Sequence, residues 1–291
     1  MKKRAPHLEF LVLTATSLVL WWRALSSTFS LALSSDAHTH ILLILPLSVA
    51  LIYLRRHALQ PVFERSLRAG AALLIASLLI AGLGKWGPDG LPNDVRLALS
   101  MFGLVTWWIG SVVFCFGTRC FRSLLFPLCF LFLLVPIPVL VVNGIIEFLQ
   151  QQSTIAARIM FSSAGVPVTQ DGIMLSIPGL DIEVAHECSS IRSSLMLVVT
   201  TMVLADLLLR SSWRKALLIA VAVPLSIAKN GFRIFTIAEL GTRVDPGFLD
   251  GRLHHRGGIV FFGLSVVVVS ALLWILRRTE FPRPVARSVA V

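Results

Sequence analysis

The chain has 291 residues, of which 56% are hydrophobic and only 14% charged, with a single tyrosine. That balance excludes an ordinary soluble globular domain, in which about a quarter of the residues are charged. A net charge of +11 could suit a nucleic-acid ligand, but the basic residues flank apolar runs, so they read as membrane-topology signals and argue against nucleic acid.

The apolar runs predict a polytopic all-α membrane protein, because continuous apolar stretches of this length cross a bilayer as helices. Eight spans are expected, near Leu8–Trp22, His40–Tyr53, Ala69–Leu83, Val95–Gly117, Ser123–Val142, Ile191–Leu209, Trp213–Lys229 and Gly257–Leu276. Met1-Lys2-Lys3-Arg4 ahead of the first span resembles a signal peptide, but the small-x-small cleavage pattern is weak, and the segment reads as an uncleaved first helix. The second and third spans are short for about 30 Å of hydrocarbon. The chain reads as one integral membrane domain: four N-terminal spans over residues 1–117, a catalytic core over 118–277 and a cytoplasmic tail over 278–291.

Loop charges give the orientation. With the N-terminus in the cytoplasm and strict alternation, the inner segments hold 16 of the 26 Lys and Arg, among them Arg55, Arg119, Arg210 and Arg277. The basic bias sets topology, so both termini are expected inside and the odd-numbered turns outside. Eleven of the 15 acids then fall on the outer side.

The longest outward segment separates the fifth and sixth spans. Ile145, Phe148, Leu149, Ile155, Ala156 and Ile159 follow helical spacing, which predicts an amphipathic helix at the interface. Ile173–Ile177 and Leu180–Val184 flank Pro178-Gly179, a pair suited to the centre of a type II turn. A small β-hairpin is therefore expected before the sixth span, its second strand leading to Cys188.

Three polar clusters carry reactive side chains: Glu187-Cys188-Ser189-Ser190-Ile191-Arg192, Lys229-Asn230-Gly231-Phe232-Arg233 and His254-His255-Arg256. The topology brings all three to the outer boundary. They offer a thiol, fixed cations and a proton carrier. Cys188 precedes a membrane helix, and a helix N-terminus beside a cation favours the reactive thiolate; the bland alternative is a buried inert cysteine. Arg192 lies one turn beyond it and either supports a thiolate or snorkels to the interface. Asn230 and Arg233 share a helical face, and an arginine at that depth is a functional candidate, or else a headgroup anchor. His254 and His255 point to different faces of a helix. His254 aligns with Gly258 and Phe262, Gly258 allowing close backbone approach, while His255 stays open as the alternative. Cysteine and histidine are too scattered for zinc, so no metal or other cofactor is expected.

These clusters resemble the exosortase/archaeosortase family of membrane transpeptidases, whose pattern is a Glu-Cys-Ser-Gly-like motif, then Asn-x-x-Arg, then His-x-x-x-Gly with an aromatic four residues on. Here they stand as Glu187-Cys188-Ser189-Ser190, Asn230-Gly231-Phe232-Arg233 and His254 through Gly258 to Phe262; Ser190 replaces the usual glycine. The resemblance covers Ser123–Leu276. It implies Cys188, Arg233 and His254 as catalytic residues, with Asn230, Arg192 and Glu187 in support. It also implies a hydrophobic C-terminal sorting tail as substrate, with a signature such as Pro-Glu-Pro, an acceptor nucleophile of unknown kind, and an inner membrane in an exopolysaccharide-producing bacterium. The site would face the periplasm or the outside, in contact with membrane lipid. A transporter or assembly scaffold for polysaccharide export would also use eight spans, but it would want polar groups through the midplane, and the spans carry few. A thiol oxidoreductase would want a second outward cysteine, and the sequence supplies none.

Overall fold

The computed structural model describes residues 5–56, 65–87, 90–184, 191–250 and 258–280. The chain forms two compact units, Met1–Asn143 and Gly144–Val291. Among the described residues six helices are long and apolar enough to cross a membrane, or eight spans if each of two sharply bent helix pairs counts as one.

In the first unit, α1 (Ala5–Leu20) and α2 (Trp22–Ser34) meet at a 69° bend. The first apolar segment therefore runs on past Trp22, where the sequence suggested an end. It is followed by α3 (Ile41–Arg55), α4 (Leu67–Trp86) and α5 (Asn93–Ser123), which breaks at Gly117, φ +85°. The second and third spans reach 20 residues each, enough for the hydrocarbon thickness. α4 buries Gly70, Ser77 and Gly84, a seven-residue repeat of small side chains. A Cβ on Gly70 would lie 2.5 Å from the Phe114 backbone, so the helices meet almost backbone to backbone. Trp107 Nε1–H donates to Leu13 O at 3.0 Å and ties α1 to α5.

The expected fifth span is not one helix. α6 (Leu125–Phe130) passes into a 3₁₀ turn, Leu131–Leu134, and the chain is extended at Val135 before α7 begins. Pro136 and Pro138 explain the break: a residue ahead of proline is pushed out of helical geometry, and the ring removes a backbone donor. α7 (Val139–Ser163) starts afresh beyond the break.

The portion of α7 in the second unit buries Leu149, Gln150, Ser153, Thr154, Ala157 and Phe161 and leaves Phe148 and Ile159 exposed. α9 meets this helix at Gly231, where a Cβ would lie 2.7 Å from Ala156 Cβ and 3.0 Å from Ala157 N. The small side chains of Ala156 and Ala157 permit that approach.

A three-stranded antiparallel sheet follows, in the order β1 (Thr169–Asp171), β2 (Met174–Ile177), β3 (Leu180–Glu183). The hairpin turns at Pro178-Gly179, with Gly179 at φ +85°, as the third position of a type II turn requires. β1 was not expected; Asp171-Gly172 is its turn signal. Ile177 pairs with Leu180 across the two-residue turn, and Val184 N–H donates to Ile173 O at 3.1 Å. Ladder bonds in an antiparallel pair fall on alternate residues. The main chain of Leu180, Ile182 and Val184 therefore faces β2, and that of Asp181 and Glu183 faces the open edge.

α8 (Ile191–Leu208), α9 (Ser212–Arg243) and α11 (Gly258–Arg278) complete the unit, with a short α10 (Gly247–Asp250) between the last two. Leu197, Ala205, Leu218, Val269 and Leu273 form their common core. A second core joins Ala157 and Phe161 to Leu175, Val184, Ile234 and Ala238. α9 continues well beyond Lys229, as the position of Arg233 demanded. Its 32 residues span ~48 Å at 1.5 Å per residue, more than one hydrocarbon thickness.

One end of this bundle is closed by two reciprocal caps. The Glu280 carboxylate accepts the Arg210 and Ser211 N–H groups at 3.0 and 2.9 Å, at the start of α9. Arg214 donates to Leu276 O and Thr279 O at 2.8 and 2.7 Å, at the end of α11. These bonds, foremost the one from Ser211, hold the Glu280 carboxyl below its usual pKa of 4.5. A depressed carboxyl pKa stabilises the fold above the unfolded value, and that gain is lost as pH falls through the folded one. Glu280→Gln is expected to lower the melting temperature at pH 7, with the gap to wild type closing as pH drops below about 4. Gly231→Val is expected to lower the thermal stability measured in detergent by several degrees. Gly144→Val, where an added Cβ meets nothing within 4 Å, should cost far less.

Candidate active site

α8 and α9 form an antiparallel hairpin with a polar seam. Near the turn, Lys215 Nζ pairs with the Asp206 carboxylate at 3.0 Å. Toward the opposite end, ~18 Å away for the 12 residues from Asp206 to Ser194, Ser226 Oγ–H donates to Ser194 Oγ at 2.7 Å. Beside it the Lys229 ammonium donates to Ser193 Oγ. Lys229 is 6% exposed and Asn230 1%.

The same end holds a cavity of about 310 Å³. Asn230 and Arg233 line it from α9, together with Ile234, Ile237 and Ala238; β3 and Val184 line the other side, and Leu249 closes it from α10. Arg233 is thus a fixed cation on a partly apolar wall, where low dielectric strengthens its hold on a negative charge. The cavity volume falls within the range of small-ligand sites.

Of the residues singled out in the sequence, Asn230 and Arg233 come together here. Arg192 lies in the first turn of α8, exposed. Glu187, Cys188, His254 and His255 lie outside the described residues. Their described chain neighbours do not: Val184 and Leu249 both line the cavity, and they stand four residues before Cys188 and five before His254. A Cβ on Gly258 meets nothing within 4 Å among the described residues.

The seam partner Lys229 was not singled out as a site residue. Its signal was available: Ser226, Lys229, Asn230 and Arg233 sit at i, i+3, i+4 and i+7, a polar stripe on one helical face.

The family model for Transmembrane exosortase (Exosortase_EpsH) matches residues 21–271. The chain belongs to the exosortase family. No curated protein and no solved structure matches it. For an exosortase, the Asn230/Arg233 pair at the cavity is the part of the three-motif pattern whose geometry is in view.

The Lys229–Ser193 contact gives a checkable asymmetry. Ser193→Ala removes an oxygen from a buried ammonium and should cost about 1–3 kcal/mol of stability. Lys229→Met replaces the buried charge with an apolar chain of similar length and should cost little or be stabilising. The double variant should match Lys229→Met, a non-additivity that a double-mutant cycle in detergent would measure.

Proposed function

We propose that this exosortase is a cysteine transpeptidase that cleaves the hydrophobic C-terminal sorting tails of exported proteins. The observation that carries the reading is the cavity: Arg233 and Asn230 line it, and so do the residues leading into the Cys188 and His254 motifs. Cys188 as thiolate attacks the scissile carbonyl. The C–N bond breaks, the amine leaves with a proton supplied by His254, and the acyl group stays on sulfur as a thioester. Arg233 stabilises the oxyanion of the tetrahedral intermediate. An acceptor amine, hydroxyl or water then attacks the thioester, with His254 taking its proton, and the thiolate is released. Asn230, Arg192 and Glu187 support these groups.

The site faces outward from the inner membrane, with both termini in the cytoplasm; the loop-charge bias supports this orientation. The length of α9 agrees with it, since its far end outruns the hydrocarbon. A tail that is itself a membrane span then reaches the cavity laterally. Transport is less favoured, because the polar groups of the α8–α9 seam gather toward its two ends.

Co-expression with a tail-bearing secreted protein tests this reading. Wild type should shorten the substrate and yield a hydroxylamine-sensitive adduct; Cys188→Ala should do neither. Arg233→Ala should lower the processing rate by about 10²–10³-fold, the usual loss for one oxyanion donor. Unchanged processing in Cys188→Ala would leave the scaffold as the better account.

A further inference from the structure

The sheet beside the cavity has an open edge of particular chemistry. Among the described residues β3 is paired on one side only, and the main-chain N–H and C=O groups of Asp181 and Glu183 face away from β2. Among the described residues nothing pairs with them. An unpaired edge of this kind is a template for another strand. Unlike the free edge of β1, this one opens into the cavity: Leu180 through Val184 all line it, opposite Arg233.

We propose that the substrate polypeptide binds as an extended strand on the β3 edge, held by the main chain of Asp181 and Glu183, with its scissile bond carried toward Arg233. The proposal rests on the transpeptidase reading. Two donor–acceptor pairs two residues apart, ~6.6 Å along the strand, match the repeat of an extended chain. Alternate substrate side chains would meet the apolar wall of Ile234, Ile237 and Ala238. The strand also has the right direction, since its own chain runs on to Cys188 four residues after Val184. A second copy of this protein is a poor occupant. The exposed carboxylates of Asp181 and Glu183 would face their own kind across a self-paired edge, and like charges there oppose pairing.

This mode makes recognition a matter of backbone register. Only substrate residues whose N–H points at β3 are sensitive to loss of that N–H, and they recur every second position.

The test measures binding separately from catalysis. A fluorescein-labelled peptide carrying Pro-Glu-Pro and the first residues of a hydrophobic tail is titrated onto the full-length protein in nanodiscs by anisotropy. N-methylation is scanned through its non-proline residues. The expected result is a period-two pattern, with at least tenfold weaker binding at facing positions and less than twofold change at the others. On the protein side, Asp181→Pro should weaken binding at least tenfold, and Asp181→Ala, which keeps the N–H, less than twofold. A flat N-methyl scan, or no binding at all, overturns the strand proposal even if processing occurs. A period-two pattern with no processing keeps the strand and removes the transpeptidase.

Discussion

An ammonium group cannot be left in an apolar helix pair without oxygen atoms around it, and Lys229 imposes that demand on α8 and α9. Ser193 answers it, and the neighbouring Ser226–Ser194 bond repeats the contact one turn away. With the Asp206–Lys215 pair near the turn, the hairpin is pinned at both ends, so its register cannot slip by a residue without stranding a charge. Everything at the cavity inherits this register. Asn230 and Arg233 follow Lys229 on the same face, and Gly231, between them, admits α7 to within contact of its backbone. The buried lysine costs stability compared with an apolar side chain, but it specifies one packing among several that the apolar surfaces alone would tolerate.

Most of the helical framework was legible because bilayer thickness leaves a strong mark: runs of 15 or more apolar residues have few other uses. The Pro178-Gly179 hairpin was legible because turn chemistry is local. The break at Pro136 and Pro138 was equally local, yet the high hydropathy on both sides masked it. Which residues of α7 meet the bundle could not be read from its own sequence, because the close contact is to a glycine 75 residues beyond Ala156. In a membrane protein large apolar side chains gain little from being inside, since lipid is as apolar as the core, and small residues decide which faces meet.

The candidate site was legible in part for a related reason. Charged and amide side chains are scarce in apolar segments, so Asn230 and Arg233 stood out at once. Lys229 stood beside them and was passed over, because a lysine at the edge of an apolar run reads as an interfacial anchor until its serine partners are known. Strand β1 was missed for want of hydrophobic signal: Thr169-Gln170-Asp171 is polar throughout, and only the glycine after it marks the turn.

Pro224 lies inside α9, between the two caps at its start and the cavity near its far end. A proline removes one rung of the helix ladder and opens a point of bending. Mechanically, α9 is then a post set in a footing, with a pivot partway up. The footing is the Glu280 and Arg214 clamp, and the arm is the nine residues from Pro224 to Arg233, ~13 Å long. A pivot of about 10° would carry the arginine through ~2 Å. The helix that fixes the position of the cation therefore also lacks one rung of its ladder on the way to it.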